Sequence, residues 1–201
     1  MNNKKTADQI TSYFLAELQN KPLDEISINE VTRKIVISRV IFYRYFRNKQ
    51  DVLDTMLEQF LVEFDGLLKH RNMKPDYFKM TTTESVKKVL FDYTLCLVTF
   101  FYTNKSRIKI LTESSDEIVF MDILHSTYYN HFVSSLSDTF SFNWDKQTLV
   151  NYSLFITGGV KSIIEEWYQT DFLQSPEEIT KQILNMLTPF FTSALKKRKH
   201  R

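Results

Sequence analysis

A chain of 201 residues with 43% hydrophobic and 14% aromatic content has ample material for a packed interior, which excludes disorder over its whole length. Three glycines and four prolines are too few for a turn-rich β-sandwich, and neither G-x-G-x-x-G nor a P-loop occurs, so a glycine-cradled nucleotide site is excluded. The net charge of +2 hides an asymmetry: residues 1–50 hold nine Lys/Arg against five Asp/Glu, residues 196–201 hold five cations and no acid, and residues 51–195 hold 12 cations against 19 acids. Along the chain the helical period dominates. Ile10, Phe14 and Leu18 mark one face of a helix over residues 5–20, Pro22 interrupts it, and Leu23 to Ile26 connects onward. Ser27 stands three residues before Glu30, an S-x-x-E pattern that predicts a capping box opening a second helix, ending near Val36. A third helix is predicted from Ser38 to Tyr45. Asn48 or Asp51 opens a fourth, whose stripe Val52, Leu53, Met56, Phe60, Phe64, Leu67 and Leu68 runs to about His70.

Residues Arg71 to Thr83, polar and containing Pro75, read as the main linker. Further helices are predicted near 84–103, 105–112, 116–137, 146–169 and 177–195, with polar breaks at Asn104–Ser106 and Ser137–Asn143. Ser175-Pro176-Glu177-Glu178 is a helix start, with serine at the cap, proline at the first helical position and acids in the first turn. Pro189 should bend or end the last helix. The expectation is an all-α protein of about nine helices: a three-helix, helix-turn-helix head over 1–50 and a larger body over 51–201, the fourth helix belonging partly to both.

Several chemistries are excluded. Cys96 is the single cysteine, inside an apolar run, so neither an intramolecular disulfide nor a cysteine-cluster zinc site forms, and an inert buried thiol is expected. His125 and His131 are predicted on different faces of one helix, and no H-E-x-x-H occurs, so no metal is expected. No acid–base or nucleophile constellation stands out, which argues against an enzyme and against a cofactor. The polar N-terminus and the lack of a membrane-length apolar run predict a cytoplasmic protein with no membrane partner.

The densest chemistry lies in Ser38 to Lys49, S-R-V-I-F-Y-R-Y-F-R-N-K. A short basic, aromatic helix preceded by another short helix fits a helix-turn-helix laid in the major groove of double-stranded DNA. Ser38 caps the third helix and offers its hydroxyl to a phosphate. Arg39 stands near that helix's start, where an arginine reaches guanine edges bidentately. Lys49, beside the start of the fourth helix, suits a backbone phosphate. Arg44 and Arg47 read as solvated or phosphate-grazing rather than base-reading. The basic tail reads as a solvated helix end or as added nonspecific DNA affinity.

The stretch Ser27 to Leu53, and above all Ser38-Arg39-x-x-Phe42-Tyr43-Arg44-Tyr45-Phe46-x-Asn48-Lys49-x-x-Val52-Leu53, resembles the DNA-binding domain of the TetR/AcrR family of bacterial transcription regulators. The resemblance implies phosphate contacts for Ser27 and Tyr43, and leaves Phe42 and Phe46 to hold the head core with Val31, Ile35 and Ile37. Three positions depart from the family's usual form: Val36 replaces the turn glycine, and Val40 and Ile41 replace small or hydroxyl residues. Valine suits a left-handed turn poorly, so the turn at Val36 is expected to be right-handed or strained. Val40 and Ile41 are placed to touch thymine methyl groups.

The pattern Phe155-Ile156-x-Gly158-Gly159, Trp167 and Ser175-Pro176-Glu177-Glu178 also resembles part of that family, in which the last two helices form a four-helix dimer interface. Tyr152, Phe155, Gly159 and Ile163 on one helix, with Ile179, Ile183 and Leu187 on the next, are the expected interface. A homodimer matches a palindromic operator. The resemblance further implies an effector pocket, for which Tyr93, Phe100, Tyr128 and Phe132 supply walls suited to a small apolar or aromatic molecule; aromatics at helical spacing read equally as core. The expected function is a homodimeric repressor released from its operator by a small molecule. The alternative is a regulator of the same fold controlled by a protein partner, or one with weakened DNA binding.

Overall fold

The computed structural model describes residues 2–70, 79, 82–114, 117–140 and 145–196. The described residues are all-α: α1 (Asn2–Glu17), α2 (Ile28–Lys34), α3 (Arg39–Tyr45), α4 (Lys49–Lys69), α5 (Thr83–Thr103), α6 (Lys105–Ser114), α7 (Glu117–Phe140), α8 (Lys146–Gln169) and α9 (Pro176–Lys196), with a short 3-10 turn at Leu23–Glu25. The predicted linker lies outside the described residues except at 79 and 82–83, as do the basic tail from 197 and residues 141–143 of the second polar break, whose first residues, 137–140, instead continue α7. Pro189 does not end the last helix, which continues past it to Lys196.

Helix ends follow local chemistry. Asn48 caps α4, its Oδ1 accepting the Asp51 N–H at 2.8 Å. Thr82 and Ser85 form a reciprocal capping box at α5. Asp145 caps α8 by accepting the Thr148 N–H at 2.9 Å. At α9 the predicted start is a capping box: the Glu178 carboxylate accepts the Ser175 N–H at 2.8 Å and the Ser175 hydroxyl accepts the Glu178 N–H at 3.3 Å.

The box expected at α2 does not form. Ser27 has the extended backbone of a cap residue, but its side chain makes no cap bond. Its intended partner Glu30 is taken by Lys21, whose ammonium reaches Glu30 at 3.3 Å and Glu17 at 2.8 Å. The pairing holds the Glu17 carboxyl below its usual range and raises the Lys21 ammonium. A cation on the preceding segment thus outcompetes a backbone N–H for the carboxylate.

Compactness groups Met1–Glu63 with Ser106–Met121, and Phe64–Lys105 with Asp122–Arg201. This cut differs from a division at residue 50, because α4 as far as Glu63, nearly all of α6 and the start of α7 group with the first unit. There, Phe42 is fully buried and lies 6.3 Å from Phe14 and 6.0 Å from Phe46. Ile10, Ile26, Val31, Val52 and Leu53 are buried as well, whereas Ile35 and Ile37 are half-buried. Arg107 of α6 is tied to α4 by a 2.6 Å ion pair to Glu63, a 3.3 Å bond to the Met56 carbonyl, and its position 5.1 Å over the Phe60 ring.

In the second unit, Val98, Ile164, Trp167, Phe172, Ile179 and Ile183 form a buried cluster, against which Phe101, Tyr102, Val160, Ile163, Tyr168 and Leu187 pack. The Trp167 indole N–H donates to the Gln174 carbonyl at 3.0 Å and its ring lies 4.8 Å from that of Phe172. This explains why Trp167 precedes Ser175-Pro176 in the sequence: it pins the turn between α8 and α9. That turn is left-handed at Asp171 (φ 53°) and Phe172 (φ 57°), closed by Phe172 N–H to Trp167 C=O at 2.8 Å and Asp171 N–H to Tyr168 C=O at 2.9 Å. Asp122 pairs with Lys161 at 2.6 Å, and one turn further His125 Nε2 lies 3.1 Å from the Thr157 hydroxyl, so α7 and α8 are joined at two levels. Cys96 is half-buried rather than fully buried, and burial pushes its thiol up, which favours the protonated form over the nucleophilic thiolate.

Candidate nucleic-acid interface

The two short helices of the head are joined by a turn in which Ile37 N–H reaches back to the Thr32 carbonyl at 2.9 Å, the six-to-one bond of a Schellman ending. Val36 occupies the position where glycine is favoured, at φ 58° and 88% exposed. Of the two conformations open to this turn, the strained left-handed one is adopted. Ser38 then caps α3, its hydroxyl accepting the Ile41 N–H at 3.2 Å.

Within α3 the spacing divides the side chains by face. Phe42 is buried, with Phe46 just beyond the helix, and these anchor it. Arg39, Val40, Tyr43 and Arg44 are exposed, as the i, i+1, i+4, i+5 pattern requires. The Arg39 guanidinium lies 5.9 Å over the Tyr43 ring and that of Arg44 5.3 Å over the Tyr45 ring. Ile41 is half-buried.

The remaining predicted contacts are placed differently. Ser27 is exposed on a separate element. The Lys49 ammonium donates to the Asp24 carbonyl at 2.9 Å, which ties the start of α4 to the 3-10 turn three residues before Ser27. Lys49 therefore has a structural bond that sequence reasoning missed, with two further N–H donors left to it by its chemistry. Arg47 is engaged by Asp51 at 3.2 Å, which raises the guanidinium and holds the Asp51 carboxyl below its usual range.

In the second unit, the expected interface residues fall on opposite faces. Ile179 and Ile183 are buried in the chain's own core, and Ile163 and Leu187 pack against it, so these four face inward. Phe155 is 64% exposed and Gly159 is exposed, while Tyr152 is half-buried with its ring 6.4 Å from Phe190. Leu154 (50% exposed) and Met186 (53% exposed) are also turned outward, and the Phe190 ring lies 5.1 Å from that of Phe155. A Cβ added at Gly158 or Gly159 would meet nothing within 4 Å, so packing within the chain requires neither glycine. Of the expected pocket walls, Tyr93, Tyr128 and Phe132 are buried, Tyr128 lying 5.9 Å from Phe132, and Phe100 is half-buried 5.6 Å from Phe64.

An all-α chain whose N-terminal helices end in a helix-turn-helix with an exposed basic face belongs to the class of helix-turn-helix regulators. A TetR-type family model described as a transcriptional regulator C-terminal region matches residues 88–189, just over half of the chain. The chain belongs to the TetR family of transcriptional regulators. No curated relative matches the sequence. The fold is similar to that of the fatty acid degradation regulator FadR from Bacillus halodurans, with a TM-score of 0.59 and 14% identity over 90% of this chain and 97% of that one. Among the described residues, no helix is long and apolar enough to cross a membrane.

Proposed function

We propose that this chain is a homodimeric DNA-binding repressor that a small apolar or aromatic effector releases from its operator. The observation carrying the reading is the face of α3: Phe42 is buried, while Arg39, Val40, Tyr43 and Arg44 stand exposed on the other side. Arg39 is assigned to a base edge, Ser27, Ser38, Tyr43, Arg44 and Lys49 to phosphates. Dimerisation is assigned to the outward face of α8 and α9 around Leu154, Phe155, Gly159 and Met186, because it is apolar and its glycines leave room for a close helix crossing. An effector bound among Tyr93, Phe100, Tyr128 and Phe132 would favour a body conformation that weakens operator affinity through linkage.

The test is binding to a duplex selected from a random pool, followed across salt concentrations. Arg39→Ala should relax preference at one position per half-site, and Lys49→Ala should weaken all duplexes and flatten the salt dependence. Phe155→Glu should convert a dimer to folded monomers in sedimentation. Equal, small effects of Arg39→Ala and Lys49→Ala would sink the DNA assignments. A second reading, a regulator controlled by a protein partner or weakened in DNA binding, is favoured by the strained, exposed Val36 beside the reading helix. Failure to recover any preferred duplex would select it.

A further inference from the structure

We infer that Val40 is a sequence-reading side chain whose isopropyl group packs on the 5-methyl group of a thymine; this rests on the DNA-binding reading above. Val40 is 79% exposed. A β-branched residue serves a seven-residue helix less well than alanine, and here burial offers no compensation. Its neighbours are basic and stacked: the Arg39 guanidinium over Tyr43, that of Arg44 over Tyr45. Val40 is thus the apolar element of an otherwise cationic and aromatic face. Such a face approaches a phosphate-lined groove, and the thymine methyl is the apolar feature that base pairs present in the major groove. The fold also separates Val40 from its sequence neighbour: Ile41 is half-buried and its N–H is held by Ser38, so of the two apolar residues Val40 is the one offered outward.

The experiment uses the full chain and the duplex it selects from a random pool, with deoxyuridine replacing thymidine at one position of each half-site at a time. Deoxyuridine removes the methyl and leaves base pairing intact. At one position the wild type should lose about fourfold in affinity per half-site, the factor expected for one buried methyl-sized group. Val40→Ala should bind the thymidine duplex more weakly by a similar factor and be indifferent to the replacement there. Because Val40 is exposed and alanine is the better helix former, the substitution should leave the melting temperature unchanged or slightly raised, so weaker binding would not reflect lost folding. If deoxyuridine changes nothing at any position, or if Val40→Ala remains as sensitive as the wild type, the inference is overturned and DNA binding stands. If the pool yields no preferred duplex, the inference falls together with the reading beneath it.

Discussion

Val36→Gly should stabilise this protein. The left-handed backbone at Val36 costs a residue with a Cβ about 1–2 kcal/mol, with a β-branched side chain towards the upper end. Glycine adopts that conformation freely but loses more freedom on folding, about 0.5–1 kcal/mol. Val36 is 88% exposed, so removing it forfeits only the small buried remainder of a side chain worth about 1.5–3 kcal/mol when fully buried. The balance is a gain on the order of 0.5–1 kcal/mol. For a chain of this size that raises the midpoint by roughly 1–4 °C. Phe172 provides the control, because it has nearly the same φ but is buried against Trp167 and Tyr102. Phe172→Gly relieves similar strain but empties a core site, at about 3–5 kcal/mol, so it should lower stability by about 2 kcal/mol or more. Urea and thermal unfolding of both variants give opposite signs if backbone and burial have been weighed correctly. A Val36→Gly protein less stable than the wild type would refute the assignment of strain at the turn.

Ser38→Ala should lose about 1 kcal/mol of stability with its cap bond, whereas Ser27→Ala, whose side chain makes no cap bond, should be nearly neutral in the same urea titration. Arg107→Ala should cost about 1–2 kcal/mol, since it removes a charged hydrogen bond and a stacked guanidinium together; an effect under about 0.3 kcal/mol would show that the tie between α6 and α4 is idle. Glu178 is held below its usual range by the Ser175 N–H and hydroxyl. A lowered folded-state value means stability that is present above the unfolded value and lost as pH falls through the folded one. Stability should therefore decline as pH drops below about 4.5, the ordinary glutamate range, and Glu178→Gln should make that decline shallower; an unchanged acid limb would count against the capping box.

Much of the architecture was legible because helices in a packed body repeat their apolar positions at 3.6 residues and are punctuated by caps. The reading of 146–169 coincides with α8, and Ser175-Pro176-Glu177-Glu178 marks the start of α9. Local chemistry also placed Ser38 at the cap of α3 and Phe42 and Phe46 in the head core. These statements involve residues within a few positions of each other, and the backbone largely settles them.

What escaped the sequence depended on partners brought in from elsewhere. Lys21 draws Glu30 away from Ser27, and the Asp24 carbonyl, 25 residues from Lys49, engages its ammonium. Helix α8 is apolar on two sides, and periodicity alone does not say whether Ile164 and Trp167 or Leu154 and Phe155 face the core. The aromatic lock of Trp167 on Phe172 and Gln174 selects the first side and turns Leu154 and Phe155 outward. The same applies to Val40 and Ile41, adjacent and chemically alike, which one helical step of about 100° separates into an outward and a half-buried residue. Sequence by itself determined most of the helices, the place of the turn and the basic, aromatic chemistry of α3. Only the tertiary structure decided which faces are spent on the core, because burial is settled by what lies opposite a side chain and not by the residues beside it in the chain.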